Sequence, residues 1–352
     1  MRRREFVAAT LARIAPHDTH KHATAARPPT RPHVTHRIRS LVLSVVALGF
    51  ASSATAQPYP SKPVHVILSS PGGGTDIVAR LVSENMSRSL GAPFVVESRQ
   101  PNVAAAAFVA RSAPDGYTLL VTTASYLVNA LLRAPQYDPL RDFSAITLLG
   151  TTPIIITVHP ALPVHSLRDL VALAKRRPGE LNFGSGGVSS PLHLAGELFN
   201  QAAGVNIVHV PYKGTVAAAT DLQAGRVQLS FPSIISVAPM IQSGRIKVLA
   251  VMSEKRSPEL PNVPTTREAG MPGLLANIWY GLLAPPNLPP GLLDRLNKAA
   301  VAALNQPQVS ERMRASGVEP VGNTPDQFTA FAAAELAKWK RVVETAKIDV
   351  GP

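Results

Sequence analysis

Apolar and polar positions along residues 57–352 follow two periods that take turns. Short apolar runs such as Val64-His65-Val66-Ile67-Leu68 read as buried strands, and each gives way to residues spaced three or four apart, as in Ile77, Leu81 and Met86, which mark one face of a helix. The first such unit predicts a strand at 64–68 and a helix at 77–90, stopped by Gly91 and Pro93. Strand patterns follow at 94–97 and 117–123, the latter running out in Thr122-Thr123-Ala124-Ser125, and helical ones at 103–112 and, after that run, to about Leu132, with a Pro114-Asp115-Gly116 turn before the second strand. This alternation predicts an α/β domain with a mostly parallel sheet.

A long β-prone stretch at 146–158, interrupted by Gly150 and Pro153, reads as a crossing into a second α/β lobe. That lobe carries strands at 181–184, 206–210, 227–231 and 247–252. Its helices are expected at 166–175 behind a Ser166-Leu167-Arg168-Asp169 start, at 192–203 with Ser190 as N-cap and Pro191 at the first position, at 215–224 and at 235–243. A strand at 278–284 returns to the first lobe, followed by helices at 292–305 and, after the capping box Thr324-Pro325-Asp326-Gln327, at 328–345.

Two connections stand out chemically. Ser69-Ser70-Pro71-Gly72-Gly73-Gly74-Thr75-Asp76 joins the first strand to its helix, and Ser185-Gly186-Gly187-Val188-Ser189-Ser190-Pro191 does the same in the second lobe. Glycines let a ligand approach the backbone, and a helix start offers unpaired N–H groups with a positive dipole end. The first stretch is equally compatible with a plain turn capped by Thr75 or Asp76. Neither loop holds Arg or Lys, so an anion there would rest on N–H groups, hydroxyls and waters. Two such loops facing each other would suit a small molecule with two carboxylates.

Composition narrows the function classes. No cysteine is present, which removes disulfides, thiol catalysis and Cys–zinc sites. Of the net charge of +13, residues 1–56 contribute nine Lys/Arg against two acids, and 57–352 contribute 26 against 20 with no dense basic run. Nucleic-acid binding is not indicated. Residues 41–50 (LVLSVVALGF) form an apolar run behind Arg37 and Arg39, and Ala54-Thr55-Ala56 follows as a small-x-small cleavage site. This is a signal peptide pattern over 1–56, too short to span a bilayer, with cleavage expected after Ala56 and a periplasmic product. Residues 1–36 make its n-region unusually long; a start near Val34 would give an ordinary leader, and Arg3-Arg4-Glu5-Phe6-Val7 looks like a twin-arginine signal set too far upstream.

The usual catalytic signatures are missing. There is no G-x-S-x-G elbow and no G-x-x-x-x-G-K-[ST] loop, and the mature His residues (65, 159, 165, 193 and 209) show no H-x-x-x-H or H-E-x-x-H spacing, so no cofactor and no metal is expected. His65 and His209 lie in strand runs and suit structural roles; His193 is equally suited to a local hydrogen bond or a place near a ligand.

Taken in order, Tyr59-Pro60-Ser61-Lys62-Pro63-Val64, Pro71-Gly72-Gly73-Gly74-Thr75-Asp76-Ile77-Val78-Ala79-Arg80, Ala113-Pro114-Asp115-Gly116-Tyr117-Thr118 and Tyr137-Asp138-Pro139-Leu140-Arg141-Asp142-Phe143 resemble the Bug (TctC-like) solute-binding proteins. So do His193-Leu194-Ala195-Gly196-Glu197-Leu198-Phe199, Val210-Pro211-Tyr212-Lys213-Gly214, the run from Arg256-Ser257-Pro258-Glu259 to Pro264-Thr265, and Trp279-Tyr280-Gly281-Leu282. The resemblance covers essentially all of 57–352. It implies a periplasmic binding protein of type II fold, with one domain from 57–157 plus 276–352, the other from 158–275, and a cleft closed by hinge motion. It implies a monomer that binds a small carboxylate, with the membrane subunits of a tripartite tricarboxylate transporter or a sensor as partner. The family's ligand contacts fall on Ser70, Gly73, Thr75 and Asp76, on Thr123 and Ser125, on Ser185, Gly187 and Ser190, and on Asp221.

The chain departs from the family pattern at three places. Ser98-Arg99-Gln100-Pro101-Asn102-Val103-Ala104-Ala105 replaces a longer glycine-rich loop, Ser69-Ser70 replaces an aromatic-Pro pair, and Gln228-Leu229-Ser230-Phe231 lacks the family's acid. Two other readings stay open: an α/β enzyme acting on a carboxylate or phosphate ester through Thr75 and Asp76, and a degenerate paralogue that binds nothing. N-terminal sequencing of the exported protein is expected to begin at Gln57; intact residues 1–40 would overturn the leader reading.

Overall fold

The apolar run at 64–68 forms strand β1 (Val64–Leu68), buried everywhere except His65. A computed structural model describes residues 59–68, 73–99, 102–132 and 136–348; the leader with its cleavage site, Ser69 to Gly72 and Gln100-Pro101 lie outside the described residues. From β1 the chain runs through α1 (Gly73–Leu90), β2 (Phe94–Ser98), α2 (Asn102–Ala110), β3 (Thr118–Thr122), α3 (Ser125–Leu132) and β4 (Ser144–Pro153). It continues through β5 (Ile155–Val158), α4 (Leu167–Arg176), β6 (Asn182–Ser185), α5 (Pro191–Ala203), β7 (Val208–Pro211), α6 (Thr215–Gln223), β8 (Leu229–Ser230), α7 (Ile234–Gln242) and β9 (Lys247–Val251). The last stretch is β10 (Asn277–Ala284), α8 (Pro290–Leu304), α9 (Pro307–Ala315), β11 (Glu319–Pro320) and α10 (Pro325–Ala346). The sequence pattern missed α9, whose polar surface hides its period, and β11, which has two residues.

Residues 57–352 hold together as one compact unit containing two sheets, one of order β11-β4-β10-β3-β1-β2 and the other β7-β6-β8-β5-β9. The expectation of mostly parallel sheets is corrected. β2, β1 and β3 are parallel, but β10 runs antiparallel to both β3 and β4, and β5 is antiparallel to β8 and β9. The reason lies in the path: β4 leads the chain out of the first sheet and β10 brings it back, so the two must oppose each other. At the crossing three backbone segments bond in a ring. Ile154 N–H donates to Ala276 O (3.2 Å), Ala276 N–H to Met252 O (3.0 Å), and Met252 N–H to Ile154 O (2.8 Å).

Strand alternation sorts side chains to the two faces of each sheet. In the first sheet Val66, Leu68 and Leu119 pack with α1, α8 and α9, whereas Ile67, Leu120 and Trp279 pack with α2, α3 and α10. The second sheet has α4 and α5 on one face and α6 and α7 on the other. One polar group ties the first sheet to its last helix. Glu335, buried on α10, accepts from Trp279 Nε1 and Trp339 Nε1, each at 2.9 Å, and pairs with Lys338. The capping box at Thr324 and Gln327 that starts this helix forms as the sequence suggests.

Two glycines have steric reasons that the sequence did not show. A Cβ on Gly74 would come within 2.8 Å of the Tyr280 ring, and one on Gly150 within 2.8 Å of Glu319 O. Gly150 therefore does not break the long strand; it lets β11 approach β4. Glu335→Ala would leave two buried indole N–H groups without an acceptor, and is expected to cost about 2–4 kcal/mol in urea unfolding. Glu335→Gln, which keeps an acceptor oxygen, is expected to cost less than half of that.

Candidate functional site

Parallel neighbours bring the candidate residues together. β1 and β3 lie side by side with Leu68 opposite Val121, so the starts of α1 and α3 share one sheet edge. In the second sheet β6 pairs with β7, placing the 186–190 loop beside the 212–214 turn. Open α/β sheets bind ligands at such carboxyl ends of strands. Among the described residues one side-chain hydrogen bond joins the two edges: Ser189 Oγ donates to Asn129 Oδ1 on α3 at 2.9 Å.

On the first edge α1 begins at Gly73, four residues earlier than the periodicity suggests. Thr75 and Asp76 are therefore first-turn residues, which corrects their reading as caps. Thr75 is buried, and Asp76 bonds to Arg80 one turn on at 3.0 Å, a pairing that leaves its carboxylate half-buried. Gly73 supplies a helix-start amide; Ser70 lies outside the described residues. Thr123 and Ser125 are buried at the start of α3 with their hydroxyl oxygens 3.1 Å apart.

On the second edge several expected ligand contacts are engaged within the protein. Ser185, wholly buried, meets His209 Nε2 at 2.6 Å, and its oxygen accepts from Gly187 N–H at 3.1 Å. Ser190 caps α5 by accepting from His193 N–H at 3.2 Å. Asp221 accepts from Tyr212 Oη at 2.8 Å and pairs with Arg226 at 2.9 Å. These three side chains shape the loops. Gly187 holds a φ of 119°, which a side chain would strain, and among the described residues the amides of Gly186 and Val188 have no partner. Thr215 borders this loop, since a Cβ on Gly186 would lie 3.4 Å from its backbone nitrogen.

The part that residue types alone did not show is a histidine pair under the second loop. His193 on α5 and His209 on β7 stack with ring centroids 3.7 Å apart, against Phe183. Ser189 N–H donates to His193 Nδ1 at 3.3 Å, leaving Nε2 to carry the proton 3.7 Å from Glu197 Oε1. Burial, and for His193 the neighbouring His209, push the two imidazoles down to about 3 for His193 and about 4 for His209. Burial pushes the Glu197 carboxyl up. The HxxxE spacing of His193 and Glu197 was visible in the sequence; the partner 16 residues on, His209, was not, because stacking needs β7 beside β6.

Ser185 and His209 do not make a hydrolytic pair. Ser185 is buried while His209 is half-buried, among the described residues no carboxylate orients His209, and an imidazole titrating near 4 is a weak base at neutral pH. Two concave surfaces elsewhere, one lined by Leu167, Val171 and Met271 and one by Ile234, Ile235 and Leu260, include none of the candidate residues.

A family model described as "Tripartite tricarboxylate transporter family receptor" matches residues 78–348. Protein BugT of Bordetella pertussis is 34% identical over 317 residues, which is 88% of this chain and 97% of that protein. Among solved structures, an R. palustris protein with adipate is 35% identical with a TM-score of 0.74, covering 83% of this chain and 99% of that one. MatC from Rhodopseudomonas palustris with bound malate is 31% identical with a TM-score of 0.72, covering 81% of this chain and 100% of that one.

The histidine pair makes stability depend on pH. Both imidazoles have folded values below the ordinary 6.5, so below that pH the unfolded chain binds more protons and the fold loses stability as pH falls, from about 6.5 to about 4 for His209 and to about 3 for His193. Each unit of depression is worth about 1.4 kcal/mol of this dependence. Glu197, raised by burial, acts in the opposite sense and offsets part of it. Urea midpoints at pH 7 and pH 4.5 are expected to show the loss, and His209→Gln, which keeps a partner for Ser185, is expected to reduce it; an unchanged slope would remove the pair from the account.

Proposed function

The chain belongs to the tripartite tricarboxylate transporter family receptors, and from that premise we propose that it is a periplasmic receptor that captures a small carboxylate between two lobes and delivers it to a membrane transporter or sensor. One lobe comprises 57–157 with 276–352 and the other 158–275; the change of sheet between Pro153 and Ile155 and the return at Asn277 support this division. The receptor works by binding, without chemical conversion. The observation that carries the reading is the contact of the two helix-start edges through Ser189 and Asn129, which sets the N–H groups of one loop beside the hydroxyls of the other. The similar proteins solved with adipate and with malate support a carboxylate as ligand.

In this arrangement the carboxylate is held by neutral donors. Amides at the starts of α1 and of the 186–190 loop, with Thr75, Thr123 and Ser125, face the anion. Neutral donors avoid the desolvation of a second full charge, which a buried Arg or Lys would add. Asp76 and Asp221 are each neutralised by an arginine, so neither repels the ligand with its full charge. Ser185, Ser190 and Asp221 act by holding the loop and Tyr212 in place.

A thermal-shift screen of mono- and dicarboxylates tests the reading. A ligand at 100 times its dissociation constant is expected to add about 2.7 kcal/mol of stability, with no product formed. Thr75→Val, which removes a hydroxyl and keeps the shape, is expected to weaken that ligand more than it weakens the fold. A screen without a hit, or conversion of the stabilising compound, would overturn the proposal.

A further inference from the structure

The second loop reaches the first sheet through a residue in an unusual backbone state. Ser189 has a φ of 63°, the left-handed region that a residue with a Cβ occupies at a cost. Glycine would hold this conformation without strain, but only a side chain can reach Asn129. The strained backbone is fixed from behind by the bond from Ser189 N–H to His193 Nδ1, so the hydroxyl is aimed and not free to swing. Its acceptor is equally well placed. Asn129 is buried on α3, one helical turn beyond Ser125 and therefore on the same face as that residue.

The remaining contact between α5 and the first sheet is of a different kind. Leu194 is buried among Tyr126, Trp279 and Trp339, and Leu198 packs against the apolar clusters of both sheets. Farther along the helix Gln201 Nε2 donates to Thr345 Oγ1 at an exposed position. Apolar surfaces tolerate a small rotation, because their attraction is non-directional. A hydrogen bond of 2.9 Å between two short side chains does not. Rotation of one sheet against the other about the ring of Ile154, Met252 and Ala276 would be felt at Ser189 and Asn129 before the apolar seat of α5 is lost.

We propose that Ser189 and Asn129 form a closure latch: their hydrogen bond is made when the lobes close and broken when they open, and it holds the 186–190 loop over the start of α3. The inference rests on the two-lobe receptor reading. Ser189 is a positioning residue here. It acts through the loop amides that meet the ligand, and its strained backbone is retained because closure needs its hydroxyl.

The chain has no cysteine, so a single dye pair can be attached through Lys175→Cys on α4 and Lys298→Cys on α8, both exposed. Energy transfer in the ligand-free protein reports the balance of open and closed forms. Ser189→Ala and Asn129→Leu are each expected to shift that balance toward the open form. Each is also expected to speed dissociation of adipate or malate about fivefold, the equivalent of one hydrogen bond of ~1 kcal/mol. The double variant is expected to add nothing further. Ser189→Gly separates latch from scaffold. Relief of strain is expected to raise the melting temperature of the ligand-free protein while ligand release still quickens, whereas a merely structural serine would move stability and affinity together. Unchanged transfer in the single variants, or additive effects in the double, would overturn the latch. If neither adipate nor malate binds the wild-type protein, the choice of ligand class fails, and the ligand-free distributions still decide the latch.

Discussion

The ring of backbone hydrogen bonds joining Ile154, Met252 and Ala276 is the constraint on which the rest of the architecture depends. The chain leaves the first sheet and returns to it beside this ring, so β4 and β10 must run in opposite directions and the sheets become mixed. Backbone groups at a sheet crossing have no ladder to join. Bonding to one another satisfies them without help from side chains, which frees the local sequence to be apolar. On the first-sheet side Trp279 follows three residues after Ala276, and its indole is held by Glu335 together with that of Trp339. The crossing is thereby tied to the C-terminal helix.

From this frame the helix starts at the two sheet edges are brought within reach of each other. The chemistry there is that of neutral donors, and the arginines near it are occupied by Asp76 and Asp221. Behind the second loop the stacked His193 and His209 stay uncharged because burial disfavours their protonated forms. They give the loop two hydrogen-bond partners, Ser189 N–H to His193 and Ser185 to His209, without introducing charge there. The same arrangement makes acid the condition under which the loop loses support.

Much of the fold was legible because its elements bury one face each. Val64 to Leu68, the capping box at Thr324 and the Ser190-Pro191 helix start all appear where the pattern places them. Local signals were weaker where the reason for a residue lay elsewhere in the chain. Gly74 reads as a loop glycine, yet the Tyr280 ring accounts for it; Gly150 reads as a strand breaker, yet Glu319 accounts for it. Ser185 and Asp221 have the residue types of ligand contacts, but their polar atoms are engaged by His209 and Gly187 and by Tyr212 and Arg226. Ser189 and Asn129 carry no motif, since a bond between residues 60 apart leaves no local trace.

Hydrophobic period, turn residues and the order of short motifs were sufficient for the α/β class, for the elements other than α9 and β11, and for the family, because each depends on interactions within a few residues or on a string of local matches. The glycine-rich stretch at 69–76 already marked a helix start whose N–H groups an anion could approach. Tertiary structure alone decided which strands oppose each other, which hydroxyls support the loops, and that the second loop is tied to α3 across the two sheets. Those outcomes depend on which segments become neighbours, and that follows from how the crossing is closed and not from any single stretch of residues.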